Sequence, residues 1–465
     1  MNVARLVLPA VRRPPATGRE AGAALGRDVE QALERGVGGF LLFGGSVAEV
    51  AGWTRTLRAA AGRPLLLAAD VERGAGQLFP GATSWPSAAA LAAAPDPHAA
   101  IRAAAEATAL EMRALGLNWA LAPVADLDLE PRNPIVGTRS FGAEPVAVAE
   151  CVWAWVEAAQ AAGVAACAKH FPGHGRTAAD SHLDLPVVTA GRGALEADWA
   201  PFRAAIEAGV ASVMVAHVAY PALDADLLPA TLSRRIVTGL LRETFGFDGL
   251  VASDALAMAG ALKATGSEGE AAVRMLDAGV DLLLYPGDTD AVVRALEQAL
   301  ARGRLAETRV ADALRRLDRA LARVAEPLTE PAAVPWRDHD AQAFDLAERA
   351  VRWLRRPAPT PRAPRRIEVA LVDDDRLALA PETLAALGLE SPPPPPSREP
   401  FLRALADTTG TEVLVLEDPQ PWTGADAAVV AGFADVRGFK GRAGPSPEAA
   451  AAIARRLRHR PDAVL

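Results

Sequence analysis

The sequence predicts an α/β chain in which an N-terminal (β/α)8 TIM barrel precedes a smaller α/β sheet domain. Three observations carry this. Short apolar runs recur along the first two thirds of the chain, with alanine-rich segments of helical character between them. Most of these runs are continuous rather than alternating, as parallel strands covered on both faces require. Finally, residues capable of chemistry stand at the ends of the runs, and in a barrel those ends share one mouth.

In order, the runs are "RLVLP" (5–9), "GGFLLFGG" (38–45), "RPLLLAAD" (63–70), "LNWALAPVAD" (117–126), "VAACAKHFPG" (164–173), "ASVMVAHV" (211–218), "GLVASDA" (249–255) and "VDLLLYPG" (280–287). A helical stretch around 19–35 separates the first two. An open doubly wound sheet is the competing arrangement, and strand counting alone does not exclude it. The strand ends favour the barrel. Asp70 ends the third run, Asp126 the fourth, and Lys169 with His170 stand near the end of the fifth. His217 and Asp254 close the sixth and seventh, and Asp288 follows the eighth. A barrel brings these positions together, whereas an open sheet spreads them along an edge. Asp288 keeps the plainer reading of a helix N-cap.

A proline-rich break, "AEPLTEPAAVPW" (325–336), marks a boundary. The expected division is a barrel over 1–326, a linker over 327–366 holding a helix around 339–354, and an α/β domain over 367–465. Strands are expected in that domain at 367–374, 411–419 and 426–433, with "SPPPPPS" (391–397) as a loop spacer. The chain stops at "PDAVL", where another strand begins, so this domain reads as incomplete or as completed by a partner.

Composition narrows the function. Of 465 residues, 51% are hydrophobic and 23% charged, enough for a large core. A net charge of −8 argues against nucleic acid or an anionic membrane as the main partner. Two cysteines, Cys151 and Cys167, make neither a disulfide framework nor a zinc-ligand spacing. The opening apolar run, stopped by Arg12 and Arg13, is too short for a signal-peptide core and reads as a strand. With no apolar run long enough to span a bilayer, the expectation is a soluble cytoplasmic protein. Its oligomeric state stays open.

Three of the seven histidines, His170, His174 and His182, fall within "CAKHFPGHGRTAADSHLDLP" (167–186). The next helix is not expected until about Leu195, so a long loop lies over the barrel mouth, and such loops are usually functional. Within it, Asp180 and His182 are two residues apart. In extended chain both point to one side, so the carboxylate can hold one imidazole nitrogen and favour the imidazolium. That pair is a proton donor near neutral pH, or else a structural bond that packs the loop. His170, His174, His182 and Asp180 could also ligate a metal. Their spacing falls on a strand end and a turn rather than a helix, so no metal and no cofactor are expected.

The run "KHFPGHGRTAADSH" (169–182) resembles the signature of the bacterial β-N-acetylglucosaminidase branch of glycoside hydrolase family 3. Three further blocks resemble the family in the right order: "LAPVADLDLEPRNPIVGTRSFG" (121–142), "MVAHVAYPALDADLLPATLS" (214–233) and "GLVASDALAM" (249–258). The resemblance covers most of residues 3–325, and the C-terminal region is similar to the second domain many members carry.

The resemblance implies a retaining mechanism with Asp254 as nucleophile and His182 as acid/base, oriented by Asp180 in place of the second carboxyl group most glycosidases use. It also implies that Asp70 accepts hydrogen bonds from ring hydroxyls, and that Arg139, Lys169 and His170 grip the terminal sugar. His217 and Asp126 join this substrate-binding group. The resemblance gives His174 no comparable assignment, and it reads as a structural tie between loop and barrel. One departure stands out: eight positions after Asp70 the chain has Leu78 where an arginine is usual in this branch, and Arg73 is the candidate replacement. The implied activity is removal of terminal N-acetylglucosamine from cell-wall fragments. The alternatives are a β-glycoside phosphorylase, a family 3 β-glucosidase or xylosidase, and a non-catalytic sugar-binding protein.

Overall fold

The computed structural model describes residues 2–12, 25–179, 181, 184–328 and 334–350, and three strands beyond them. The chain divides into two units, Met1–Val351 and Arg352–Leu465.

The first unit is built on nine parallel-paired segments. They are β1 (Val7–Leu8), β2 (Ala10–Arg12), β3 (Gly39–Phe43), β4 (Leu66–Ala69), β5 (Trp119–Ala120), β6 (Ala165–Phe171), β7 (Ser212–Val215), β8 (Leu250–Ala255) and β9 (Leu282–Leu284). β1 and β2 are one run interrupted at Pro9, which has no N–H to give a ladder. β1 pairs with β9 and β2 pairs with β3, so this run closes the ring. Across the seam the Leu8 carbonyl accepts from Tyr285 N–H and the Pro9 carbonyl from Leu41 N–H, both at 2.9 Å. All eight runs expected from the sequence hold a strand, and the barrel is the arrangement they form.

The runs are continuous in apolar character because both faces of most strands are buried, β2 being the exception. In β4, Leu66 and Ala68 join one cluster with Leu8, Leu41, Trp119, Cys167, Met214, Leu250 and Leu282. Leu67 and Ala69 turn the other way, into the larger cluster shared with the helices. Trp119 keeps its polar end satisfied inside the barrel, donating to Ser212 Oγ at 2.8 Å. Asp288 caps the helix Thr289–Ala301 by accepting from Ala291 N–H at 2.8 Å, the role read from the sequence.

At the end of the barrel where β9 begins, the fully buried Asp281 is paired by Arg242, Arg309 and Arg316 and accepts from Val251 N–H. Structural charge is thereby concentrated opposite the mouth. The helix expected around 339–354 runs Trp336–Ala350 and packs on the helices Ala88–Ala92 and Pro97–Ala114 of the first unit. Among the described residues no helix is long and apolar enough to cross a membrane.

In the second unit, β10 (Arg366–Asp373) lies between β11 (Glu412–Leu416) and β12 (Ala427–Phe433), parallel to both. These strands fall where the sequence placed them. The "SPPPPPS" tract and "PDAVL" lie outside the described residues.

Candidate active site

Parallel strands point their C-terminal ends the same way, so the residues that end them meet at one mouth. Asp70 directly follows β4, Lys169 and His170 lie near the end of β6, and Asp254 lies near the end of β8. Asp126 and Arg139 come from the long connection after β5, and His217 stands just beyond β7.

Four charged side chains form one group. Lys169 Nζ lies 2.7 Å from Asp70 Oδ1 and 2.7 Å from Glu72 Oε1. Arg139 donates to the same Glu72 through Nε (2.8 Å) and Nη2 (2.7 Å), while its Nη1 donates to the Ile135 carbonyl at 2.8 Å. Burial opposes the charge on Glu72, yet the Arg139 guanidinium and Lys169 ammonium hold its carboxyl well below the usual range. Burial likewise opposes the Lys169 ammonium, and Asp70 and Glu72 outweigh it and keep the group charged. Side-chain exposure is 33% for Asp70 against 2% for Lys169 and 9% for Glu72. Asp70 is therefore the most exposed member of the group, and Glu72 is the counterion behind it.

Glu72 was missed in reading the sequence. The available signal was its spacing: Asp70 and Glu72 are two residues apart, which in extended chain puts both carboxylates on one side.

A second group centres on Asp126, which is fully buried. It accepts from His170 N–H at 3.1 Å, lies 2.7 Å from His170 Nδ1, and accepts from His174 N–H at 2.6 Å. Burial pushes the Asp126 carboxyl up, and His170 and the His174 N–H bring it below its ordinary value. The contact makes Nδ1 the donor and leaves His170 Nε2 for another partner. His217 is also fully buried, with Nδ1 2.8 Å from Thr231 Oγ1 and Nε2 3.1 Å from the Ala255 carbonyl. The sequence reading placed Asp126 and His217 among the ligand contacts. In the structure both are buried, as Lys169 and His170 are, with Asp126 bonded to His170 and His217 to the carbonyl of the residue after Asp254.

Asp254 is partly exposed and accepts from Ala255 N–H at 2.8 Å through Oδ1. Asp180 and His182 lie outside the described residues, whereas Ser181 between them is described. His174 is tied as the sequence suggested: Nδ1 is 2.8 Å from Thr177 Oγ1 and Nε2 is 3.0 Å from Ser181 Oγ. Burial, and then the charge of His170, lower the His174 pKa to about 4. Leu78 leans on the main core cluster, and Arg73 holds the loop through its backbone, N–H to Gln77 Oε1 and carbonyl to Trp85 N–H. Among the described residues, no three metal-capable side chains are grouped to hold an ion.

The mouth of this parallel barrel thus gathers a partly exposed carboxylate, fixed cations and an oriented imidazole, at the end of the fold where barrel enzymes build their sites. Residues 10–320 match the model of the glycosyl hydrolase family 3 N-terminal domain, and the chain belongs to that family. It is 39% identical over 297 residues to the beta-N-acetylglucosaminidase/beta-glucosidase of Cellulomonas fimi, a match covering 61% of this chain and 52% of that protein. Thus the chain spans about half the length of that relative. It is 41% identical over 286 residues to the beta-hexosaminidase of Thiobacillus denitrificans, covering 58% of this chain and 79% of the relative. The structure of a glycoside hydrolase family 3 beta-N-acetylglucosaminidase from Paenibacillus sp. str. FPU-7 matches with a TM-score of 0.84 at 30% identity, covering 99% of this chain and 88% of that one.

Proposed function

We propose that this protein is a retaining glycosidase that removes terminal β-linked N-acetylglucosamine from glycans, cell-wall fragments in the cytoplasm among them. The observation that carries the reading is the placing of Asp254 on the same mouth as the Asp70–Lys169–Glu72–Arg139 group. Two carboxylates and two cations sum to no net charge. Such a group holds a neutral sugar through directed hydrogen bonds rather than net attraction. The relatives named for N-acetylglucosamine support the acetamido sugar.

In this reading Asp254 attacks the anomeric carbon and the bond to the leaving oxygen breaks, giving a covalent glycosyl-enzyme. His182, held by Asp180, gives its proton to that oxygen. It then takes a proton from the water that displaces Asp254, so configuration is retained. Asp70 accepts from ring hydroxyls, and Lys169 and His170 Nε2 complete the grip. A phosphorylase would use phosphate in the second step. The neutral cation–carboxylate group offers phosphate no net attraction, which favours water.

The test is turnover of aryl β-N-acetylglucosaminide and aryl β-glucoside, each with and without phosphate, by the protein and its Asp254→Ala variant. Release of N-acetylglucosamine, indifferent to phosphate and abolished in the variant, is expected. Sugar 1-phosphate as product, a preference for glucoside, or activity surviving in Asp254→Ala would each overturn part of the reading.

A further inference from the structure

We infer that His174 is a positioning residue for acid catalysis: through its bond to Ser181 it fixes the loop position that lies between Asp180 and His182. The inference rests on the reading of those two residues as the acid/base pair.

The ring is mounted on a segment fixed from several directions. His174 N–H donates to Asp126 at 2.6 Å, and its carbonyl accepts from Asn133 Nδ2 at 2.9 Å. Just before it, the Gly173 carbonyl accepts from the Tyr220 hydroxyl at 2.8 Å. Just after it, Gly175 lies so close to the Leu127 backbone that a Cβ there would sit 1.7 Å from the Leu127 oxygen. No side chain larger than hydrogen fits, so the approach is set by glycine. The imidazole itself is held at both nitrogens, by Thr177 and by Ser181, and Ser181 is buried. With its pKa near 4 the ring stays neutral through the working range, keeping one donor and one acceptor for these two hydroxyls.

Ser181 is joined to Asp180 and to His182 by single peptide bonds, which set consecutive Cα atoms about 3.8 Å apart. A proton donor must come within about 2.6–3.2 Å of the leaving oxygen. A misplacement of about 1 Å can cost roughly 100-fold in rate. Whatever holds Ser181 therefore bears on the reach of His182, without itself touching substrate.

The experiment measures kcat/KM, which reports the glycosylation step, on a series of aryl β-N-acetylglucosaminides. The leaving phenols range from strongly acidic dinitrophenol to weakly acidic methoxyphenol. An acidic phenol departs without a proton, so only the weakly acidic ones need the acid. Ser181→Ala and His174→Gln are expected to lose roughly 10- to 100-fold on the methoxyphenyl substrate. They should lose no more than about threefold on the dinitrophenyl one, since that step does not call on the acid. Ser181→Thr, which keeps the hydroxyl, should recover most of the loss.

Equal losses across the series, or none, would show a structural role and overturn the inference. His182→Ala run in parallel separates the two levels. If it shows the leaving-group dependence and Ser181→Ala does not, the positioning role of His174 falls alone. If His182→Ala shows no such dependence, the acid assignment falls and the inference falls with it.

Discussion

Arg139 meets Glu72 as a fork on a fork, Nε to Oε2 at 2.8 Å and Nη2 to Oε1 at 2.7 Å. Such pairs hold both side chains in one plane, and here the second oxygen also receives Lys169. Glu72→Gln would leave two poorly hydrated cations sharing Asp70 alone. Removing one partner of a buried pair typically costs about 3–5 kcal/mol. The expected outcome is a loss of that order in urea unfolding at pH 7, with KM rising more than kcat falls. A variant as stable as its parent would refute the counterion role. The pH dependence follows from the depressed carboxyl. The contribution is full above the unfolded-state value of 4.5 and is lost as pH falls toward the lower folded value. Parent and variant should therefore begin to converge in stability below pH 4.5 and go on converging as pH falls through the folded value.

His174 makes a separate prediction about acid. Its pKa falls from 6.5 to about 4 on folding, so between those values the unfolded chain binds a proton that the folded one refuses. Stability must drop as pH falls through that interval, by about 1.4 kcal/mol per pH unit and on the order of 3 kcal/mol in all. His174→Gln lacks the group and should show a flatter profile from pH 6.5 to 4, whatever its stability at pH 7. Equal slopes for the two proteins would mean that the ring is protonated in the fold.

The two thiols should be silent. Burial pushes Cys151 up to about 11 and Cys167 up to about 12, and neither forms a disulfide. The thiolate is the reactive form, so an aromatic disulfide reagent at pH 8 should find no accessible thiol in the folded protein. In guanidinium it should find both. Rapid labelling of the folded protein would show that the barrel opens on the assay timescale.

What the sequence made legible follows from what each residue needs. Both faces of most barrel strands are covered, so the strands are largely unbroken apolar runs that can be counted, and the polar residues at their ends mark the mouth. The position of Asp70, Lys169 and Asp254 at that mouth was legible for that reason. Strand ends do not reveal which way a side chain turns, so the bonds of Asp126 to His170 and of His217 to Thr231 were not readable from sequence. Glu72 stayed hidden because its importance lies in Arg139, 67 residues away. His174 could be read only as a tie. Its partners Thr177 and Ser181 are small hydroxyl residues that any loop could hold.

The least legible contact is that of His339 with Glu111, 228 residues apart. His339 belongs to the helix Trp336–Ala350, which the sequence assigned to a linker, yet its Nδ1 lies 2.8 Å from Glu111 Oε1. Glu111 is fully buried, and its other oxygen accepts Thr83 N–H at 3.0 Å. Thr83 in turn takes Gly76 N–H on its carbonyl at 2.8 Å, within the loop that begins at Asp70 and Glu72. The helix beyond the barrel thus completes the pairing of a carboxylate that braces the loop carrying Asp70 and Glu72. His339→Ala should cost about 3–5 kcal/mol, because it strands a buried charge. In Glu111→Gln the same change should cost far less, since the amide carries no charge to strand. A double-mutant cycle measured by urea unfolding should give a coupling of about 3 kcal/mol, the upper end for residues in contact. Additive effects would mean that the helix stabilises the barrel through its apolar face alone. A coupling of the expected size, together with a raised KM in His339→Ala, would place residues 336–350 within the catalytic domain.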